Sequence, residues 1–170
     1  RIDILADVLE LADERWRGAV EGYLNTQKFY LLVGPTYYKS ALLIFDRIKK
    51  EFGFASFGLV DIGKLRERET IRPRDDSLAC KVETESELAR SYIDYLLGRV
   101  VCCEKAEQLR NFKTAITTDG LLYQGYVVRS IQRKLMDDAF IGRRSINLRV
   151  SRLEDALKQI DEQLCYWDPI

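Results

Sequence analysis

The residues of this chain that could do chemistry are few and scattered. Its four cysteines, Cys80, Cys102, Cys103 and Cys165, have neither the paired spacing of a zinc site nor that of a disulfide framework. We interpret them as small apolar residues of a reduced, cytoplasmic protein rather than as redox groups. The chain contains no histidine, the commonest general base and metal ligand. These observations predict no metal site and no cofactor.

Paired carboxylates and phosphate loops are also poor candidates. Asp75-Asp76 and Asp137-Asp138 are adjacent acids in polar stretches, and adjacency turns the two carboxylates toward different faces. Gly53 and Gly58 have the spacing of a phosphate-binding loop, but Leu59 follows where that loop has lysine. The sequence therefore indicates a protein that is not an enzyme. A small α/β ligand-binding or enzymatic domain is the alternative, and a deep pocket with convergent polar groups would favour it.

Basic residues are concentrated near the C-terminal end. The chain has 27 basic and 27 acidic residues, but positions 129–152 hold seven basic residues against two acids, a local net charge of +5. Phosphate contacts from such a cluster would depend on salt and not on base sequence. A solvated surface beside a helix is the other interpretation, and the sequence leaves both open. The seven residues are Arg129, Arg133, Lys134, Arg143, Arg144, Arg149 and Arg152.

These side chains are positioned by elements that the hydrophobic pattern divides into four segments. In residues 1–63, the apolar spacing from Trp16 to Leu24 predicts a half-buried helix. A strand over 29–33, a helix over 36–52 and a strand over 54–60 follow, with Gly53 ending the second helix. Residues 64–77 are charged, mixed in sign and broken by Pro73, so they predict a linker.

Residues 78–140 repeat the pattern of the first segment. We predict a strand over 78–82, a helix over 88–97 that Gly98 ends, a strand over 100–103, a helix over 104–112, and a hairpin over 115–128 that turns at Asp119-Gly120. Two such halves around a linker predict an α/β, mixed α+β, fold of two pseudo-repeated lobes with short sheets and flanking helices. The chain starts with Arg1 rather than Met, and we interpret it as part of a larger protein.

Residues 141–170 have a different pattern, in which apolar residues are spaced 4, 3, 4, 3 and 4 apart. They are Ile146, Val150, Leu153, Leu157, Ile160 and Leu164. Such a heptad seam predicts the start of a coiled-coil helix, although an amphipathic helix packed on the domain would show a similar stripe. No apolar run approaches the roughly 20 residues that span a membrane, so no membrane contact is expected.

Several motifs resemble the hinge domains of SMC (structural maintenance of chromosomes) proteins, which are chromosome-organising ATPases. Ala6–Glu10, through Ala19-Val20-Glu21, is similar to the family's opening strand and its A-(I/V)-E-x-x-L helix. Phe54–Ile62 resembles its a-T-F-l-P-L-D strand. Leu96–Val101 resembles its l-L-G-x-v-l-v element, and Thr117–Gly120 its V-T-l-D-G element. The motifs occur in the family's order over residues 4–130, and the heptads follow them.

Two glycine-rich sites of the family are changed in this chain. SMC hinges usually have a glycine pair after the first helix, where this chain has Asn25-Thr26. They also have a glycine cluster after the Asp-Gly turn, where only Gly125 follows here. In the family those glycines permit close backbone approach at the dimer contact. The resemblance therefore points to a divergent bacterial condensin-like relative rather than to a housekeeping SMC protein.

The resemblance implies a homodimerisation module that joins two coiled-coil arms of an ATPase. That ATPase would organise chromosome or plasmid DNA in the cytoplasm, with the nucleoid, and ATP would bind to its heads and not to this segment. The implied partners are a second copy, the arm of the same chain and, weakly, DNA at the basic cluster. The expected dimer edges are 22–29 and 120–126. The expected interface residues are Tyr23, Leu24, Gly120, Leu122, Tyr123, Gly125 and Tyr126.

Overall fold

Residues 1–53 and 56–167 are described by a computed structural model, which has the mixed α+β fold that the sequence predicts. The α-helices are α1 (Arg17–Leu24), α2 (Tyr38–Phe52), α3 (Ile62–Arg68), α4 (Glu87–Leu97), α5 (Arg133–Asp137) and α6 (Ser145–Trp167). The strands are β1 (Ile2–Ile4), β2 (Glu10–Leu11), β3 (Leu31–Val33), β4 (Leu59–Val60), β5 (Val82–Glu83), β6 (Val101–Cys103), β7 (Thr114–Thr117), β8 (Leu121–Gln124) and β9 (Val127–Ser130). Short 3₁₀ helices connect several of these elements.

The strands form three small sheets. In the first, β3 lies between β1, to which it is antiparallel, and β4, to which it is parallel. The second is the antiparallel pair of β2 and β5. The third has the order β6-β7-β8-β9, in which β6 and β7 are parallel and the other neighbours antiparallel. The two larger sheets therefore share one arrangement, a strand with one parallel and one antiparallel neighbour.

The predicted helices of the first segment are present. Trp16, Ala19, Val20 and Leu24 are at most 1% exposed, which confirms the apolar stripe of α1 and of the 3₁₀ turn before it. Gly53 ends α2 with a φ of +67°, a conformation that glycine adopts without strain. The strand predicted over 54–60 lies partly outside the described residues, since 54 and 55 are not among them. Of the described part, only β4 pairs with a neighbouring strand, which is β3.

The predicted linker over 64–77 is partly helical. Its first residues belong to α3, because the Asp61 carboxylate accepts a hydrogen bond from the Lys64 N–H at 3.0 Å and caps the helix. Arg66 then ties α3 to α4 by hydrogen bonds to the Ser91 hydroxyl at 3.1 Å and to the Glu87 carbonyl at 3.2 Å. The mixed charges of this segment therefore lie on a packed helix as well as on a loop.

The second segment differs from its prediction at two places. The helix over 88–97 is confirmed as α4, with Ser86 as its N-cap. The strand predicted over 78–82 is wrong, because 3₁₀ helix Leu78–Lys81 precedes the two-residue strand β5. The predicted helix over 104–112 is only the 3₁₀ helix Ala106–Asn111, since few residues are available to join the parallel strands β6 and β7.

The predicted hairpin over 115–128 contains a second turn. Gly120, with a φ of +85°, makes the expected turn between β7 and β8. Gly125 and Tyr126 then form a two-residue turn with φ values of +59° and +65°, and β9 returns along β8. Positive φ at both central positions is typical of a type I′ turn. The sheet is therefore one strand wider than the sequence predicts.

A shared core joins the two predicted lobes. Leu5 and Leu24 from the first segment belong to the same buried cluster as Leu78, Ile93 and Leu122 from the second. The pairing of β2 with β5 also crosses the predicted boundary. The four segment boundaries themselves (1–63, 64–77, 78–140 and 141–170) remain a prediction.

The last segment forms the long helix α6. Its 23 residues give a length of about 35 Å. The six seam residues are between 47% and 65% exposed, and the only buried residue of the helix is Ser145 at its start. The helix is thus confirmed, and its apolar stripe does not pack on the rest of the domain. None of the helices in the described ranges has the length and apolar character that a bilayer crossing requires.

Candidate functional site

Strand β9 forms the outer edge of the four-stranded sheet. Among the described residues it pairs only with β8, so its other side presents N–H and C=O groups without a neighbouring strand. Its apolar side chains are exposed as well: Val127 at 58% and Val128 at 53%, with Tyr126 at 94% in the turn before it. An exposed apolar edge strand is a template for pairing with another chain. This edge is therefore the candidate contact surface.

Two of the predicted interface residues belong to the core instead. Leu24 is 0% exposed and Leu122 1% exposed, both within the shared buried cluster. Neither predicted edge is a free strand. The segment 22–29 consists of the end of α1 and the 3₁₀ helix Asn25–Phe29, and within 120–126 the strand β8 is enclosed by β7 and β9. The alternation of side chains on β8 turns Leu122 inward, and the extra strand β9 moves the edge by one position.

The other predicted interface residues lie in different surroundings. Gly120 is buried, and a Cβ there would meet the sulfur of Met136, so it serves a close approach within the chain. Tyr123 is half-buried against a small cluster that includes Leu109. Gly125 and Tyr126 are exposed at the tip of the β8–β9 turn. Only this tip has the exposure that the prediction requires.

Asn25 and β9 face each other across a cavity of about 590 Å³. Its lining includes Tyr23, Asn25, Gln124 and Arg129, so the fold does bring together the two regions predicted from the separate lobes. Burial raises the pKa of Tyr23. Asn25 is exposed and has a φ of +49° and a ψ of −124°, a backbone conformation that L residues seldom adopt and that glycine adopts without strain. At this position the chain thus keeps a glycine-like backbone without glycine.

The junction between the domain and α6 is a second candidate site, which was not among the sites predicted from the sequence. Glu21 on α1 is 0% exposed, and its Oε1 accepts hydrogen bonds from the backbone N–H groups of Phe140 at 2.7 Å and Ile141 at 2.8 Å. Arg17 donates to the same oxygen at 3.3 Å and to the Ile141 carbonyl at 2.7 Å. Lys28 Nζ donates to Glu21 Oε2 at 2.8 Å. The connection into α6 is therefore held by buried charged groups.

The seven basic residues do not form one free patch. Arg152 is paired with Asp138 at 2.5 Å, and the Arg149 guanidinium lies 4.5 Å from the centre of the Phe140 ring. The longer ion pairs of this cluster join Arg143 to Glu10 at 3.8 Å and Arg133 to Asp137 at 3.7 Å. The remaining three, Arg129, Lys134 and Arg144, are exposed, and the side chains of Arg133 and Arg143 are also 92% and 97% exposed despite these ion pairs. At least part of the local charge thus fastens the start of α6 to the domain.

Solved structures share this arrangement of elements. The hinge domain of the Geobacillus stearothermophilus SMC protein, solved as an asymmetric dimer, aligns with 96% of this chain and 68% of its own at a TM-score of 0.57 and 16% identity. The Pyrococcus furiosus SMC hinge domain aligns with 74% of this chain and 69% of its own, at 0.55 and 18%. The chain has the fold of an SMC hinge domain. A Pyrococcus furiosus hinge with an extended coiled coil also matches, over 95% of this chain and 58% of its own, at 0.55 and 17% identity.

The likeness to the hinge fold is one of structure, with little identity in sequence. No family model and no curated protein matches the chain.

Proposed function

We propose that this chain is a hinge-type homodimerisation module that joins two coiled-coil arms of an ATPase organising chromosome or plasmid DNA. The observation that carries the proposal is the exposed edge of β9 with Tyr126, Val127 and Val128. Leaving the apolar side chains of such an edge in water is unfavourable, and contact with a second copy removes them from water and offers hydrogen-bond partners to the backbone groups of β9. The hinge fold of the chain supports this assignment.

The proposed contact joins β9 of one copy to the neighbourhood of Asn25 in the other. Because both surfaces belong to every copy, a two-fold axis generates two equal contacts and closes the dimer. The positive φ of Asn25 turns the chain sharply at an exposed position, where a partner's backbone can approach. The cavity that the neighbourhood of Asn25 and β9 line within each copy is part of this proposed contact. The alternative of a ligand-binding domain would instead place a small polar molecule there.

The proposed arm begins with α6. Its seam needs a second helix, because six exposed apolar residues in heptad spacing are typical of a coiled coil without its partner. Ile4 and Asp7 line the same cavity as Ile146 and Arg149, so β1 and the start of α6 are neighbours. A helix leading into β1 would therefore lie beside α6. In this proposal the full-length protein binds ATP at the far ends of the arms and acts in the cytoplasm at the nucleoid.

Sedimentation equilibrium tests the dimer. We expect twice the chain mass of 19.8 kDa for the unaltered protein and a single mass for the variant Val127→Lys/Val128→Lys, because charges on an edge strand oppose pairing. Leu43→Lys is the matched control, since Leu43 is 74% exposed on α2, away from this edge. Its mass should remain that of the dimer. A monomeric unaltered protein at high concentration would refute the proposal, and so would an unaffected dimer in the β9 variant.

A further inference from the structure

The buried carboxylate of Glu21 connects two parts of the surface that the proposed function treats separately. On one side it receives Lys28, which belongs to the 3₁₀ helix Asn25–Phe29 at the proposed dimer contact. On the other it holds the peptide groups of Phe140 and Ile141, which lead into α6. Glu21 is 0% and Lys28 3% exposed, so neither charge has water as a substitute partner.

Aromatic contacts extend this connection on both sides. Lys28 Nζ lies 5.6 Å from the ring centre of Phe29 and 5.1 Å from that of Phe140, and the two rings meet edge to face at 4.9 Å. The guanidinium of Arg149, in the second turn of α6, covers Phe140. A path of direct contacts therefore leads from the loop after α1, through Glu21 and Phe140, to the arm helix.

The turn before α6 is held by a second carboxylate. Gly142 has a φ of +82°, and a Cβ there would meet the Glu10 carboxylate, so no other residue fits this turn without displacement. Glu10 Oε1 accepts a hydrogen bond from the Arg143 N–H at 3.1 Å. Three of the four backbone N–H groups from Phe140 to Arg143, those of Phe140, Ile141 and Arg143, thus donate to carboxylates of the first segment.

We propose that Glu21 is a positioning residue that sets the direction of α6 relative to the domain and couples this direction to the loop Asn25–Phe29. Oε1 fixes the connection into the arm, and Oε2, through Lys28, fixes the loop. A change of the loop on dimer formation is thereby transmitted to the arm. This inference rests on the proposed function only in treating α6 as the start of an arm. The direction of α6 relative to the domain can be measured within a single copy.

Two double variants isolate the role of Oε1. In Glu21→Gln/Lys28→Met both charges are absent, and the amide oxygen of glutamine still accepts from the N–H groups of Phe140 and Ile141. Glu21→Ala/Lys28→Met has the same charge but lacks this acceptor. We expect an unchanged arm direction in the first and a loosened one in the second. Glu14→Gln is the control for Arg17, because the partly exposed Glu14 carboxylate binds Arg17 at 2.7 Å, whereas the N–H groups of Phe140 and Ile141 donate to Glu21.

Double electron–electron resonance between two spin labels measures the direction. One label is placed on the exposed native Cys80 and one on Asp155→Cys, on the side of α6 away from the seam. Cys102→Ala and Cys165→Ser remove two of the other thiols, and Cys103 is kept because it is only 3% exposed. Asp155 lies about 15 Å along the helix from Ser145, so a rotation of about 20° moves the label by about 5 Å. A distribution broadened by this amount only in the alanine variant supports the proposal. Identical distributions in both double variants overturn it.

Hydrogen exchange of the unaltered protein gives an answer even if the alanine variant does not fold. We expect the amides of Phe140 and Ile141 to exchange as slowly as those of the core strands, and exchange at the rate of exposed loops overturns the proposal.

In the resonance experiment, spin-labelled protein is diluted with excess unlabelled protein, so that only distances within one copy are measured. Sedimentation reports the dimer separately, and failure of the proposed function is therefore distinguishable from failure of this inference.

Discussion

Leu122 and Val128 lie on adjacent strands, and the structure gives them opposite roles. Leu122 is 1% exposed and faces the shared core from β8, whereas Val128 is 53% exposed on β9. Leu122→Ala should therefore destabilise the folded domain and leave its association unchanged. Val128→Lys should weaken the dimer and leave the fold of the single copy nearly unchanged, because surface substitutions usually alter stability by no more than about 0.5 kcal/mol.

The size of the effect follows from burial. Truncation of a fully buried leucine to alanine costs about 2–5 kcal/mol, the sum of lost apolar transfer energy and an unfilled cavity. In a domain of this length each kcal/mol corresponds to about 2–4 °C in melting temperature. For a cost of about 3 kcal/mol we expect Leu122→Ala to melt about 6–12 °C below the unaltered protein.

Thermal unfolding at two protein concentrations separates the two roles. A dimer that dissociates on unfolding melts at a higher temperature when it is more concentrated. The Leu122→Ala protein should melt lower by the same amount at both concentrations and should sediment as a dimer. The Val128→Lys protein should melt lower by a larger amount at the higher concentration than at the lower one. Loss of the dimer in Leu122→Ala, with an unchanged melting temperature, would refute the assignment of Leu122 to the core and return it to the interface.

Two further predictions concern DNA and the cysteines. Because Arg152 is ion-paired with Asp138 and Arg149 covers Phe140, any weak DNA contact should depend on the exposed basic residues outside these contacts. Changing three of them to Glu should lower the slope of log affinity against log salt by about 3 in a gel-shift titration. Those three residues are Arg129, Lys134 and Arg144; an unaltered slope would contradict the contact. At pH 8 a thiol reagent should react rapidly with two of the four cysteines. Cys80 and Cys165 are exposed, whereas burial raises the pKa of Cys102 to about 12 and also raises the pKa of Cys103. Four rapid thiols would contradict this.

The elements that sequence predicted well are those with a long period or a local end signal. The helix α4 has apolar residues at helical spacing between Ser86 and Gly98, and both its ends are determined by residues next to it in the chain. The heptads of α6 extend over more than three helical turns, so their pattern is unambiguous even without the partner. These predictions required no knowledge of tertiary contacts.

The strands were harder because they are short. β2, β4 and β5 have two residues each, too few to show an alternation, and their pairing depends on segments far away in the chain. The error at Leu122 has the same origin. The mostly apolar segment from Leu121 to Val128 indicates strands but not which neighbouring strands enclose them. The turn at Gly125-Tyr126 separates β9 from β8, and the sequence analysis did not predict this turn.

The burial of Glu21 was not predicted from the sequence, although the sequence contains a pattern that indicates it. A charged residue beside an apolar stripe is normally assigned to the solvated face of an amphipathic helix. In α1 that face carries Gly18 and Gly22, one turn apart, and a Cβ on them would come within 3.0 Å of Met136 and 2.7 Å of Ile131. The small residues let another segment pack on the side opposite the stripe, so the helix is enclosed and its charged residues must find partners inside the protein. Two glycines spaced by four residues, next to an Arg17–Glu21 pair with the same spacing, are therefore a readable sign of a buried ion pair.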